Sequence, residues 1–255
     1  MVLPLYDDNS DRRITPYVNY SLIAVNVFVF VVLQGMGDDN NTFTHTFSTV
    51  PKEIVTGQPI DDVVPITNPI TGDQVGQITI KPPPISVYFT LLTSMFMHGG
   101  WAHLLGNMLF LWIFGDNIED YLGSPKYLFF YLLCGVLASL SHVAVTYATH
   151  ADPRIPCLGA SGAISGVLGA YLLLFPQRRV TVIMFRFLTQ VPAYVAIGMW
   201  FLLQIIQSLG ALGGEKGGGV AYGAHIGGFI AGLLLVKAVA VSFPPRHDRP
   251  PARWS

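Results

Sequence analysis

Beyond Lys126 an apolar run continues to about residue 148 without a single Asp, Glu, Lys or Arg. A run of this length constrains the chain more than any other feature, because a helix needs roughly 20 apolar residues to cross a hydrocarbon core of about 30 Å. Five more stretches resemble it, near residues 17–36, 101–119, 160–176, 190–210 and 220–242. The fourth of the six, 160–176, is short, and is expected to begin inside the membrane rather than at its surface. Composition agrees. Of the 255 residues only 11% are charged, against about 25% in a soluble domain, and the mean hydropathy is +0.50. These features predict a multi-pass integral membrane protein whose environment is the lipid bilayer. The formal net charge of -1 gives no reason to expect a nucleic-acid partner.

The first fifteen residues carry Asp7, Asp8, Asp11, Arg12 and Arg13 and no apolar core, so no cleavable signal peptide is expected. The predicted organisation is a cytoplasmic N-terminus (1–16), a first span (17–36), a long first loop (37–100) with a polar insertion (37–85), five spans (101–243) and a Pro/Arg-rich tail (244–255). The insertion, rich in Pro, Thr and Asp, has room for a short hairpin. The segment 86–100 reads as a loop lying in the membrane interface. Lys and Arg divide ten against four if the N-terminus is inside, which puts both termini in the cytoplasm. Two cysteines, Cys134 and Cys157, suggest free thiols rather than a disulfide framework.

With that topology, spans two, four and six all run inward from the outer face, and each carries its polar residues near its outer end. Span two opens HGGWAHLLGN, with His103 and Asn107 four apart and hence on one helical face. Span four opens at Ser161, and span six places His225 within AYGAHIGG. At 1.5 Å per residue all four groups lie within about 10 Å of their helix ends. A single membrane serine usually bonds a neighbouring carbonyl, and a single histidine usually links helices. Four such groups at one depth mark function instead, because polar groups inside lipid are costly.

Gly162, Gly166, Gly169 and Ala170 form a small-residue strip on span four. Gly228 and Gly232 share the face of His225 on span six. Small residues at this spacing let backbones approach closely, which would bring Ser161 within reach of His225 as a nucleophile needs its base. Asn107 and His103, with the Ser161 backbone N–H, are candidate donors to an oxyanion, each such donor being worth about 3–4 kcal/mol. Glu119 lies twelve residues past Asn107, about 18 Å deeper, and reads as structural. A Ser-His dyad without a third acid is expected. No His-Glu-x-x-His ligand pattern occurs, so no metal or other cofactor is expected.

The segments GASGAISG, HGGWAHLLGNM, GDNIED and AHIGGFIAG, with FPQRRV and VPAYVAIGMWFLLQ between them, resemble the signatures of rhomboid intramembrane serine proteases over about residues 86–243. The resemblance implies a fold class: an all-α membrane protein with a six-helix rhomboid bundle. It also implies transmembrane protein substrates cleaved near the outer boundary. By motif, Ser161 takes the nucleophile position, His225 the base, and His103 and Asn107 the oxyanion positions. Gly159, Gly162 and Gly228 fall in structural places beside the site, and Gly115 and Glu119 match a structural GxxxE segment. Two departures stand out. Phe89-Thr90 replaces a Trp-Arg pair of the first loop, and Ser165 replaces a tyrosine that stacks on the histidine in some members.

The glycine-rich LGALGGEKGGG before span six suggests a mobile cap over a water cavity or, equally, a plain flexible connector. A bacterial cytoplasmic membrane is the expected location. The alternatives are a non-proteolytic rhomboid-like protein that binds membrane clients, or a channel or transporter. Retention of both Ser161 and His225 argues against the first.

Overall fold

The computed structural model describes residues 2–36, 41–67, 71, 73–184, 187–212 and 222–242. Strand β1 (Val2–Asp7) precedes helix α1 (Tyr17–Phe28), which ends in a π-helical turn, Val29–Leu33. The first loop holds short helices α2 (Asn41–Thr46) and α3 (Pro51–Thr56), then strands β2 (Asp62–Thr67) and β3 (Gln74–Ile80). A short helix α4 (Thr90–Thr93), flanked by 3-10 turns, leads into α5 (Trp101–Leu122) and α6 (Ser124–Ala148). Helix α7 (Ser161–Leu174) is followed by strands β4 (Arg179–Met184) and β5 (Phe187–Pro192), then α8 (Ala193–Leu212) and α9 (Tyr222–Ser242). Among these, Ser124–Ala148 and Tyr222–Val241 are long and apolar enough to cross a membrane. The glycine-rich stretch, apart from its first four residues, and the C-terminal tail lie outside the described residues.

Helix α7 is the hub. Every residue from Gly162 to Tyr171 is buried, and the helix packs against α5, α6, α8 and α9. The pairing with α9 depends on missing side chains. A Cβ on Gly228 would fall into the Gly162 carbonyl, one on Gly232 into the Gly166 carbonyl, and one on Gly169 into the Phe229 carbonyl. Backbone meets backbone at three successive turns, the close approach expected of small residues at helical spacing. On the other side of α9, Ser141 of α6 donates to the Gly223 carbonyl at 3.0 Å.

Two small sheets, beyond the helices the sequence suggests, mark the two ends of the bundle. At one end β1 pairs antiparallel with β4, and β4 with β5, in the order β1-β4-β5. Pro4 is accommodated because β1 is an edge strand. At the other end β2 and β3 form a hairpin within the polar insertion. Its inward residues Val64, Ile78 and Ile80 are buried with Val50, while Val63 and Gln77 face out. This alternation is that of a strand pair with one covered face.

Glu119 explains why α1 docks where it does. Its carboxylate accepts the Val18 and Asn19 backbone N–H groups at 3.1 and 2.7 Å, and the Ser124 hydroxyl at 2.6 Å. The unpaired donors at the start of α1 are thereby satisfied by a negative charge placed where the helix dipole favours it. Asp120 accepts from the Arg13 and Ile14 N–H groups, and Asp116 pairs with Arg12 at 2.8 Å.

Beside them Asp7 of β1 is buried, accepting from the Tyr171 hydroxyl at 2.5 Å and the Asn117 amide at 2.8 Å. Burial pushes its carboxyl up to about 7, with Asp116 adding to the rise and Tyr171 and Arg178 opposing it. The folded state therefore holds a proton that the unfolded chain releases near 3.8. Stability from this group is complete below the unfolded value and is lost as pH rises through about 7. Amide exchange in residues 2–7 should accelerate, beyond the intrinsic base-catalysed rate, by up to about tenfold per pH increment of one between 5 and 7, and level off above that range. Asp7→Asn should flatten that dependence; an unchanged profile would refute it.

Candidate active site

The turn before α7 is shaped by Gly159, whose φ of +116° suits only glycine. Its N–H donates to the Ser94 carbonyl at 2.8 Å. A Cβ at this position would lie 2.7 Å from His103 Nε2 and 3.6 Å from Ser161 Oγ, so ring and hydroxyl flank one small gap. Ser161 follows as the first residue of α7. From α9, His225 reaches it, with Nε2 at 2.8 Å from Ser161 Oγ. The two residues are 64 apart in sequence and meet because the glycine faces of α7 and α9 bring their helices together.

One helical turn beyond His103 on the same face of α5, Asn107 is buried, and its amide nitrogen has no hydrogen-bond partner among the described residues. An unpaired buried donor is costly and calls for an explanation. His98, before α5, is fully buried and packs edge-on against His103 with ring centroids 5.2 Å apart. Burial, then the His103 ring, push it down to about 3, which keeps it neutral. Ser161 lines a cavity of about 10 Å³, room for a single water, with Ser94, Ser139, Cys157, Gly159 and Ala224. Cys157 is free and buried, and burial pushes its thiol up to about 12, so it is not a competing nucleophile.

Residues 86–241 match the Rhomboid domain family model. The chain belongs to the rhomboid family. It is 31% identical over 236 residues to rhomboid protease GluP of Bacillus subtilis (strain 168), covering 89% of this chain and 40% of that one. It is 33% identical over 163 residues to the mitochondrial rhomboid protein 1 of Saccharomyces cerevisiae, covering 63% and 44%. To the mitochondrial presenilin-associated rhomboid-like protein of Homo sapiens it is 30% identical over 146 residues, covering 57% and 36%. The chain thus spans less than half the length of these curated relatives. As a rhomboid-family chain it is a membrane protein, in keeping with its apolar helices.

Ser161, His225, His103, Asn107, Gly159, Gly162 and Gly228 all fall inside the matched rhomboid segment. Glu119 does too, but at the far end of α5 among the N-terminal contacts. Two features of the site had no clear signal in the sequence. The Ser165 hydroxyl donates to the Ser161 carbonyl at 2.6 Å. An aromatic neighbour of the His225 ring is Trp200 of α8, with centroids 6.1 Å apart and planes tilted by 42°.

Proposed function

We propose that this rhomboid-family chain is an intramembrane serine endopeptidase that cleaves single-span membrane proteins near the outer membrane boundary. The observation that carries the reading is the 2.8 Å separation of Ser161 Oγ and His225 Nε2, the reach required of a nucleophile and its base. His225 removes the hydroxyl proton as Oγ attacks the scissile carbonyl carbon. The resulting oxyanion accepts hydrogen bonds from the Asn107 amide, the His103 ring and the Ser161 N–H, the last left free at the helix start. The unpaired Asn107 nitrogen supports this assignment, since a donor held ready for a transient charge has no ground-state partner. Collapse of the intermediate breaks the C–N bond, and the amine leaves with the proton from His225. Water, deprotonated by His225, then hydrolyses the acyl-enzyme.

We read the site as a dyad without a third acid, since the carboxylates of α5 are committed elsewhere: Asp116 to Arg12, Glu119 to the start of α1, and Asp120 to the Arg13–Ile14 backbone. We read α1, α5, α6, α7, α8 and α9 as six spans with both termini cytoplasmic. Helix α7 has 14 residues and extends about 21 Å, less than a hydrocarbon core. Ser161 therefore begins its helix below the surface, in a recess that water reaches from outside. The Bacillus subtilis relative, aligned along most of the chain, favours a bacterial cytoplasmic membrane.

Wild type and Ser161→Ala, reconstituted with a labelled single-span substrate, test the reading. Cleavage by wild type and none by the variant is expected. Cleavage at equal rates would refute it, and function as a client binder or channel would survive the substitution.

A further inference from the structure

We infer that Thr49, in the first-loop segment that precedes the matched domain, is a positioning residue for the turn that carries Ser161. The inference rests on the serine-protease reading for its kinetic consequence, and on geometry alone for its structural one.

Thr49 is fully buried. Its N–H donates to the Cys157 carbonyl at 3.0 Å, and the Cys157 N–H donates back to the Thr49 carbonyl at 2.8 Å. The pair forms an isolated antiparallel bridge between the first loop and the chain four residues before the nucleophile. The side chain makes a second tie. Thr49 Oγ1 lies 3.0 Å from the Thr90 carbonyl and 2.9 Å from Ser94 Oγ. A hydroxyl has one proton to give, so Thr49 donates to Thr90 while accepting from Ser94, or donates to Ser94. Either way Ser94 is fixed, and its carbonyl receives the Gly159 N–H. Amides 157 and 159 are thus both held from the first-loop side, one through the Thr49 backbone and the other through its hydroxyl.

A Cβ on Gly159 would come within 2.7 Å of His103 Nε2 and 3.6 Å of Ser161 Oγ, so its peptide lies against both. A shift of its peptide would turn the N–H groups at the start of α7 away from the oxyanion and move Oγ relative to His225. A misplacement of about 1 Å can slow chemistry of this kind about a hundredfold, while substrate binding along the helices is less sensitive. The contacts nearby, Lys52 N–H to the Pro153 carbonyl and Arg154 to Asp62, extend the same clasp.

The test compares wild type, Thr49→Val and Thr49→Ser in lipid vesicles. Valine keeps the shape and removes the hydroxyl, so a network worth about 1 kcal/mol per bond predicts kcat and fluorophosphonate labelling both slower by roughly five- to tenfold. KM should stay within about twofold, since uniform binding is untouched. Amide exchange over 157–161 should accelerate, and Thr49→Ser should restore all three. Unchanged exchange and unchanged kcat in Thr49→Val would overturn the inference. So would a loss of activity accompanied by an equal rise in KM and not restored by serine, which marks general destabilisation. If wild type neither labels nor cleaves, the protease reading falls, and the exchange measurement alone decides whether the clasp exists. Should Thr49→Val fail to fold, Ser94→Ala, which keeps the Ser94 carbonyl, is expected to show the same effects at smaller size; no effect there overturns the inference.

Discussion

His225→Ala is expected to lower kcat for cleavage of a membrane-embedded substrate by about three to six orders of magnitude, the range seen when a serine nucleophile loses its base. The expectation follows from one contact. Nε2 lies 2.8 Å from Ser161 Oγ, and at neutral pH a serine hydroxyl attacks carbonyls only when its proton has somewhere to go. The deeper helix contacts run through Gly228 and Gly232 rather than through the ring, so folding should survive. Thermal unfolding within a few degrees of wild type, together with that loss of turnover, is the predicted pair of results. Retention of more than about a tenth of the activity would mean that another group takes the proton.

Gly232→Ala should have the largest effect on stability. The added Cβ would occupy the place of the Gly166 carbonyl, and that backbone, in the middle of the buried α7, has no flexible end to swing aside. The helices must separate, at a cost of about 3 kcal/mol for overpacking of this severity, or roughly 10 °C in the midpoint for a chain of this size. Separation would also pull His225 from Ser161, so activity falls with stability. Gly198→Ala in α8 is the internal control. A Cβ there meets nothing within 4 Å among the described residues, and helix propensity favours alanine by about 1 kcal/mol. Equal unfolding temperatures for the two variants, measured by thermal denaturation in detergent, would contradict the packing account.

The contrast between these glycines bears on how much the sequence could reveal. Offsets of four between His103 and Asn107, and of three and seven from His225 to Gly228 and Gly232, are local facts of helical period. The second set names the face of α9 that the structure packs against α7. Glu119 was readable as structural from its depth, though not its partners, because the start of α1 lies about 100 residues away in the chain. The two sheets were harder. β1 is six residues long and includes Pro4, and its partner β4 lies more than 170 residues later. No periodicity in VLPLYD announces a pairing that only the tertiary fold supplies. The hairpin over 62–80 alternates as a strand pair should, but its polar turn residues suit a plain loop equally well. Trp200 and Thr49 were invisible as neighbours of the site. One sits in an apolar run where any aromatic passes for lipid-facing, and the other in a polar insertion with nothing to single it out.

The most direct measurement is covalent labelling of the reconstituted wild-type protein by a serine-directed fluorophosphonate, with the modified residue located by mass spectrometry. A hydroxyl activated by its neighbour at 2.8 Å should react and the adduct should map to Ser161 alone, with labelling lost in His225→Ala. An adduct spread over other serines, or one on Ser161 that forms as fast without His225, would contradict the account.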